Sequence, residues 1–329
     1  MGRILSGVLL ALLWFPVAGH GEDAPQPDVL KPDVLKPDTL GPGSSLSSLA
    51  MLSSDEPNRL GCTRDSYEKG CFMDFVLSLR YPLFYEALQQ GHKFNMLPFF
   101  SFTGRLGQYS GRHSSPVVTK QFNPKLFFRR YTSYAEGQIL GSTDNKQDFY
   151  DVGYAHESNG QYVDSVPLFT STAASVGGAD FAQDYVSRGW DYLYYKRHLH
   201  FKVLGTNSLD VELRYFLSYG FFQKGSEEYF PWEAPREITR ISQVDGIRIK
   251  VNRDLNWNWF KGANLFFTTG YRNFARWNTF RAELGFTPLS DLMGLPIVLW
   301  GQAGYNSSVT QYYRNAWSVG LAVAFETYR

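Results

Sequence analysis

Cysteine is nearly absent: the 329 residues hold two, Cys62 and Cys71. Net charge is nearly absent too, at +1, and gives no reason to expect a polyanionic partner. Past the N-terminus there is no apolar run of the ~20 residues that a membrane helix requires. No glycine loop of the phosphate-cradling kind, no Cys or His cluster and no basic stripe occurs, which disfavours nucleotide chemistry and nucleic-acid binding. His92, His113, His198 and His200 lack a metal-ligand spacing, although His198 and His200 could share one face of a strand. Glu227, Glu228 and Glu233 fall in a long polar stretch where solvated acids are the default; a weak calcium contact is the lesser alternative.

Aromatic residues, by contrast, are abundant, at 17% with 21 Tyr and 26 Phe. They sit in short alternating segments between turns and polar loops. Candidate strands are Phe72–Tyr81, Phe94–Thr103, Pro124–Thr132, Phe149–Ser158, Trp190–Lys202, Asp210–Phe222, Ile238–Arg253, Ala263–Tyr271, Thr279–Phe286, Pro296–Tyr305 and Ala316–Glu326. In the last, Trp317, Val319, Leu321, Val323 and Phe325 fall on one face, with small or polar residues on the other. Large apolar residues outside and small or polar ones inside describe an all-β, antiparallel transmembrane β-barrel of about 12 strands. A soluble sandwich or propeller is the plainer alternative. Bacterial barrels have an even number of strands, so a further strand is expected before Cys62, in the Ser44–Ser54 stretch. Loop lengths alternate as in barrels, with Gln161–Ser187 and Gln223–Glu237 long.

The N-terminus adds a secretory signal. Arg3 precedes the apolar Leu5–Ala18, and small residues follow, so residues 1–19 read as a signal peptide. Residues 20–60 are rich in Pro and Ser and contain the repeat PDVLK, PDVLK, PDTLG, which reads as an extended, disordered periplasmic segment. Residues 61–329 form the expected barrel. Export favours a disulfide between Cys62 and Cys71 over two free thiols.

The chemically informative stretch runs from Tyr150 to Gly160. With a strand period of two, His156 and Ser158 project to one side with Tyr150, Val152 and Tyr154, while Asp151, Gly153, Ala155 and Glu157 take the other. The pair therefore ends an apolar stripe. A serine hydroxyl becomes a useful nucleophile when an imidazole takes its proton, and the imidazole needs a third group to fix its tautomer. Asp191, on the next candidate strand, is placed to be that group. Arg197 shares its face and needs an interfacial position or a subunit contact.

These residues resemble the bacterial outer-membrane phospholipase A family. The resemblance rests on Tyr154-X-His156-X-Ser158-Asn159-Gly160, then Ser187-Arg188-X-Trp190-Asp191-X-X-Tyr194. Ser114-Ser115-Pro116, Asn123-Pro124-Lys125-Leu126-Phe127 and the run from Phe75 to Leu83 also fit. It implies a twelve-stranded barrel that hydrolyses phospholipids and lysophospholipids, with Ser158 as nucleophile, His156 as general base and the Gly160 amide in the oxyanion site. It further implies a calcium-linked homodimer, with Ser114, the Gln161 carbonyl and Ser187 as ligands. This chain departs from the family in having Asp191 where Asn is usual, a longer Gln161–Ser187 loop, and a C-terminus at Tyr328-Arg329. The other readings are a catalytically inert pore or structural barrel that keeps the motif, and a surface adhesin that uses the long loops.

Overall fold

The computed structural model describes residues 52–67, 70–86, 95–113, 117–133, 147–202, 206–222, 230, 232–233, 236–257, 259–287, 296–305 and 309–325. The signal, the proline repeat and most of the Ser44–Ser54 stretch lie outside these.

Twelve antiparallel strands close into a barrel in which every strand pairs with its neighbours in sequence and β1 pairs with β12. They are β1 (Arg59–Asp65), β2 (Phe72–Pro82), β3 (Leu97–Tyr109), β4 (Thr119–Ser133), β5 (Asp148–Ser158), β6 (Gly189–Lys202), β7 (Thr206–Phe216), β8 (Ile247–Trp257), β9 (Phe260–Thr269), β10 (Asn278–Phe286), β11 (Ile297–Gly304) and β12 (Ala316–Ala324). Each expected segment holds a strand. The additional one is β1, which contains Cys62; of the expected Ser44–Ser54 stretch, residues 52–54 are described, and there Ser53 forms an isolated bridge to Arg80. Charged Arg64 and Asp65 and the small Gly61, packed against Ala322, hide the alternation of β1 in the sequence. Cys62 and Cys71 form a disulfide that ties β1 to the start of β2.

The wall alternates as the sequence requires. Met73, Phe75, Leu77 and Leu79 on β2 are exposed outward, while Val76, Ser78 and Arg80 are buried inside. Trp317, Val319 and Leu321 repeat this on β12, as do Leu126 and Phe128 on β4. So continuous an apolar belt suits hydrocarbon rather than water, and is the wall of an outer-membrane type of barrel. Among the described residues no helix is long and apolar enough to cross a membrane.

The lumen is polar and crowded. Arg129 makes a two-pronged ion pair with Asp151 at 2.7 and 2.8 Å, and Lys125 holds Asp55 at 3.0 Å and Glu56 at 3.3 Å. A cavity of about 310 Å³ remains among charged side chains that include Arg105, Glu157, Lys196 and Glu212. Gly153 faces this interior, and a Cβ there would lie 2.5 Å from the Phe127 Cβ and 2.7 Å from the Leu126 carbonyl oxygen. Gly153→Val should therefore destabilise the barrel by about 1–3 kcal/mol or prevent its closure. The midpoint of chemical unfolding in detergent would report this; an unchanged midpoint would show that the wall yields freely here.

Two expected strands overshoot. β7 stops at Phe216, and residues 217–222 fold over the outer wall; β8 starts at Ile247, and residues 238–246 fold into the barrel mouth. There Ile238, Ile241 and Val244 pack with Trp190, Phe216 and Tyr312. Glu233 is fully buried against Arg188, with bonds of 3.0 and 2.6 Å, rather than solvated in a loop. Burial alone would favour losing the Arg188 charge, but the Glu233 carboxylate holds the guanidinium protonated above its ordinary range. Glu233→Ala should cost about 3–5 kcal/mol, because it strands a buried cation. Faster proteolysis between residues 217 and 246 would report the loss, and unchanged protection would contradict it.

Candidate functional site

On β5, Val152, Tyr154, His156 and Ser158 line the outer wall, while Asp151, Ala155 and Glu157 are buried on the lumen side. Antiparallel pairing sets His156 directly opposite Asp191 on β6, and Ser158 opposite Gly189 on β6 and Phe122 on β4. Across this register His156 Nδ1 lies 2.6 Å from Asp191 Oδ1. Donation from Nδ1–H to the carboxylate fixes the tautomer and leaves Nε2 with a lone pair, as a proton acceptor requires.

The strand beneath is held from the lumen. Asn123 Nδ2 donates to the His156 carbonyl at 3.0 Å and is 3.0 Å from the Tyr192 hydroxyl. Glu157 accepts from Trp190 Nε1 and Arg214 Nη1, each at 3.4 Å, and from Gln121. These partners come from β4, β6 and β7, so neighbouring strands fix the backbone that carries the outward pair.

Asp191 points outward, yet is fully buried, because residues 217–222 cross over it. The Leu217 amide donates to the Asp191 carbonyl at 2.9 Å, and the Phe222 amide to Asp191 Oδ2 at 2.9 Å. The Phe221 amide donates to the Tyr154 hydroxyl at 2.9 Å. The Phe222 ring stands 5.3 Å from the His156 ring, centroid to centroid.

The loop after Ser158 is tied by Asn159, which has no exposed surface. Its Nδ2 donates to the Val186 carbonyl at 2.7 Å, and its Oδ1 accepts from the Arg188 amide at 2.9 Å and the Gln161 amide at 3.3 Å. Its own amide donates to the Arg188 carbonyl at 3.0 Å. Val163 and Val186 then bridge, with the Ser187 amide donating to the Val163 carbonyl at 2.8 Å. The additional loop residues leave and return beyond this neck, carrying α1 (Val166–Val176). The long loop therefore does not separate Gln161 from Ser187. Gly160 has φ +56, and a Cβ there would meet the Phe122 ring at 2.8 Å, so only glycine fits without strain.

Of the expected ligands, Gln161 and Ser187 thus flank the Val163–Val186 bridge at one neck, and Ser114 lies outside the described residues. The Gln161 side chain donates through Nε2 to the Val117 and Val118 carbonyls at 2.8 Å, and its buried Oε1 meets no hydrogen-bond donor among the described residues. Among the described residues no group of three or more His, Cys, Asp or Glu could hold a metal. The neck offers neutral oxygens instead, which suit a hard cation.

His198 and His200 do meet, with ring centroids 4.6 Å apart, but His198 binds Asp210 and His200 binds Asp148 at 3.1 Å. His113 accepts at its carbonyl from Gln108, whereas His92, Glu227 and Glu228 lie outside the described residues. Arg197 donates to the Thr132 hydroxyl at 3.0 Å near the far end of β4. Sequence reasoning did not single out the cover over Asp191, the Asn159 tether or the Arg188–Glu233 pair. Asn159 and Arg188 left a signal, as members of the His-X-Ser-Asn-Gly and Ser-Arg-X-Trp runs.

No protein-family model matches the chain, and no curated protein matches it in sequence. Solved structures do. An active-site mutant of outer membrane phospholipase A from Escherichia coli is 17% identical, with a TM-score of 0.55 over 88% of this chain and 99% of that one. The outer membrane phospholipase dimer with bound calcium from Salmonella typhi is 18% identical, with a TM-score of 0.56 over 88% of this chain and 100% of that one. At these identities the likeness establishes the architecture: this chain is an all-β barrel of the kind those outer membrane phospholipases share.

Proposed function

We propose that this protein is a calcium-dependent phospholipase A of the bacterial outer membrane, acting as a homodimer on phospholipids and lysophospholipids. The observation that carries this reading is the His156–Asp191 bond of 2.6 Å, standing on the outer wall beside Ser158 and among exposed apolar side chains. A reactive pair on that wall is accessible from the hydrocarbon, where acyl esters lie.

In the proposed reaction Ser158 Oγ attacks the acyl carbonyl carbon while its proton passes to His156 Nε2. Asp191 orients the imidazole and stabilises its cation. The Gly160 amide donates to the developing oxyanion; one such donor is worth ~3 kcal/mol. The intermediate collapses, His156 protonates the departing alcohol oxygen, and an acyl-serine remains. Water, deprotonated by His156, then attacks the acyl carbon; His156 returns that proton to Ser158 Oγ as the acyl–Oγ bond breaks, and the fatty acid leaves. The Gln161 carbonyl and Ser187 hydroxyl, with Ser114, would hold the cation. Bound calcium would supply positive charge beside the oxyanion.

The inert-pore reading has less support, because the described part of the mouth is filled by the Trp190–Ile241–Tyr312 packing and its buried ion pair. A sulfonyl fluoride separates the enzyme from a pore or an adhesin. It is expected to modify Ser158, detected by peptide mass, and to stop fatty-acid release from mixed micelles. A folded barrel that leaves Ser158 unmodified and releases no fatty acid would overturn the assignment.

A further inference from the structure

Residues 217–222 have no place in the reaction above, yet they make specific contacts with its machinery. This strap turns away from β7 after Phe216 and passes across the outer face of β6. It lies so close to Asp191 that a Cβ at Gly220 would stand 1.8 Å from Asp191 Oδ2 and 2.4 Å from its Cγ. Tyr219, Phe221 and Phe222 are 80%, 87% and 69% exposed, so the strap presents its aromatic edge to the surrounding lipid and its backbone to the carboxylate. The Tyr154 hydroxyl, on the neighbouring strand, accepts from the Phe221 amide of the strap at 2.9 Å.

We propose that this strap is a positioning device matched to an aspartate: it uses the second carboxylate oxygen of Asp191 as an acceptor, and so makes aspartate the required residue where an asparagine would otherwise serve. The inference rests on the hydrolase reading of the His156–Ser158 pair. Oδ1 accepts from His156 Nδ1–H, and Oδ2 accepts from the Phe222 amide. Two donors approach from opposite sides, and a carboxylate offers an acceptor to each. An asparagine offers one oxygen and one NH2. With its oxygen toward His156, it turns N–H against the Phe222 N–H; with its oxygen toward the strap, it turns N–H against His156 Nδ1–H. The first rotamer leaves two donors facing each other in a buried place; the second is relieved only when His156 takes the Nε2–H tautomer, which removes the lone pair that a general base needs. The strap also answers the cost of keeping a carboxylate on a lipid-facing wall. It removes the group from hydrocarbon and supplies a fixed dipole where water cannot reach.

The test is a double-mutant comparison on the full-length protein in mixed micelles, with kcat and KM measured separately. Folding is checked by the heat-dependent mobility of the barrel on gels. In the parent, Asp191→Asn is expected to lower kcat by about 10- to 100-fold with little change in KM. Phe222→Pro removes the amide donor, and Gly220→Ala pushes the strap off the carboxylate. In either background Asp191→Asn should cost less than about threefold, because the donor–donor clash has gone. An equal cost of Asp191→Asn with and without the strap contact, in folded barrels, would overturn the proposal. A parent in which Ser158→Ala changes nothing would instead overturn the hydrolase reading, so the two failures are distinct. If Phe222→Pro does not fold, the Gly220→Ala pair decides alone.

Discussion

Ser158→Ala is expected to abolish fatty-acid release, by about 10⁴-fold or more, while leaving the barrel folded. Removing the nucleophile of a hydroxyl–imidazole–carboxylate set costs about as much as removing the whole set, because its members act as a unit. The residual rate then comes from binding and oxyanion donors alone. The structure gives no reason for a folding defect. Ser158 is the last residue of β5, partly exposed on the outer wall, and the neighbouring backbone is held from the lumen through Asn123 and Glu157. Loss of activity with an unchanged unfolding midpoint and unchanged gel mobility is therefore the diagnostic combination. His156→Ala should match it and, combined with Ser158→Ala, add nothing further. A Ser158→Ala protein that hydrolyses as fast as the parent would mean that the outward pair has no chemical role.

The barrel was legible because a period-two signal survives wherever one face meets lipid and the other a polar lumen. β2, β5 and β12 alternate almost without exception. β1 escaped because Gly61 packs against Ala322 and charged residues occupy its end, so the contrast between faces is lost. The overshoot of β7 has a different cause. Leu217, Tyr219 and Phe221 continue an apolar alternation, as a strand would, but they serve a strap laid against the outer wall. Apolar periodicity reports exposure to hydrocarbon and cannot tell a strand in the wall from a segment lying on it.

The placement of the candidate residues was legible to a similar depth. The spacing of His156 and Ser158 placed both on one face, and the register then brought Asp191 opposite the imidazole. Contacts made by backbone amides left no trace in residue type, which is why the Phe222 donor to Asp191 was invisible. Glu233 was misjudged as solvated because its partner Arg188 is 45 residues away in sequence. Long-range ion pairs of this kind carry no local pattern. The same is true of the Val163–Val186 neck, which makes the length of the intervening loop irrelevant to the separation of Gln161 and Ser187.

That neck is the basis of the second large effect. Chelation of calcium should lower hydrolysis by about 10²–10³-fold, the range lost with an oxyanion stabiliser, and added calcium should restore it. The ligands proposed for the cation lie on separate stretches, and Asn159 holds two of them together. Its side chain spans the Val186 carbonyl and the Arg188 and Gln161 amides from a fully buried position. Asn159→Ala leaves these groups without those partners, at about 1–3 kcal/mol each where water cannot replace it. The neck then opens in a larger fraction of molecules, and apparent affinity falls in proportion to the competent fraction. The expected result is a calcium titration shifted about tenfold to higher concentration, with hydrolysis at saturating calcium close to that of the parent. A pure loss of rate at every calcium concentration, with no shift in the titration, would show that Asn159 braces the reactive strand rather than the cation site.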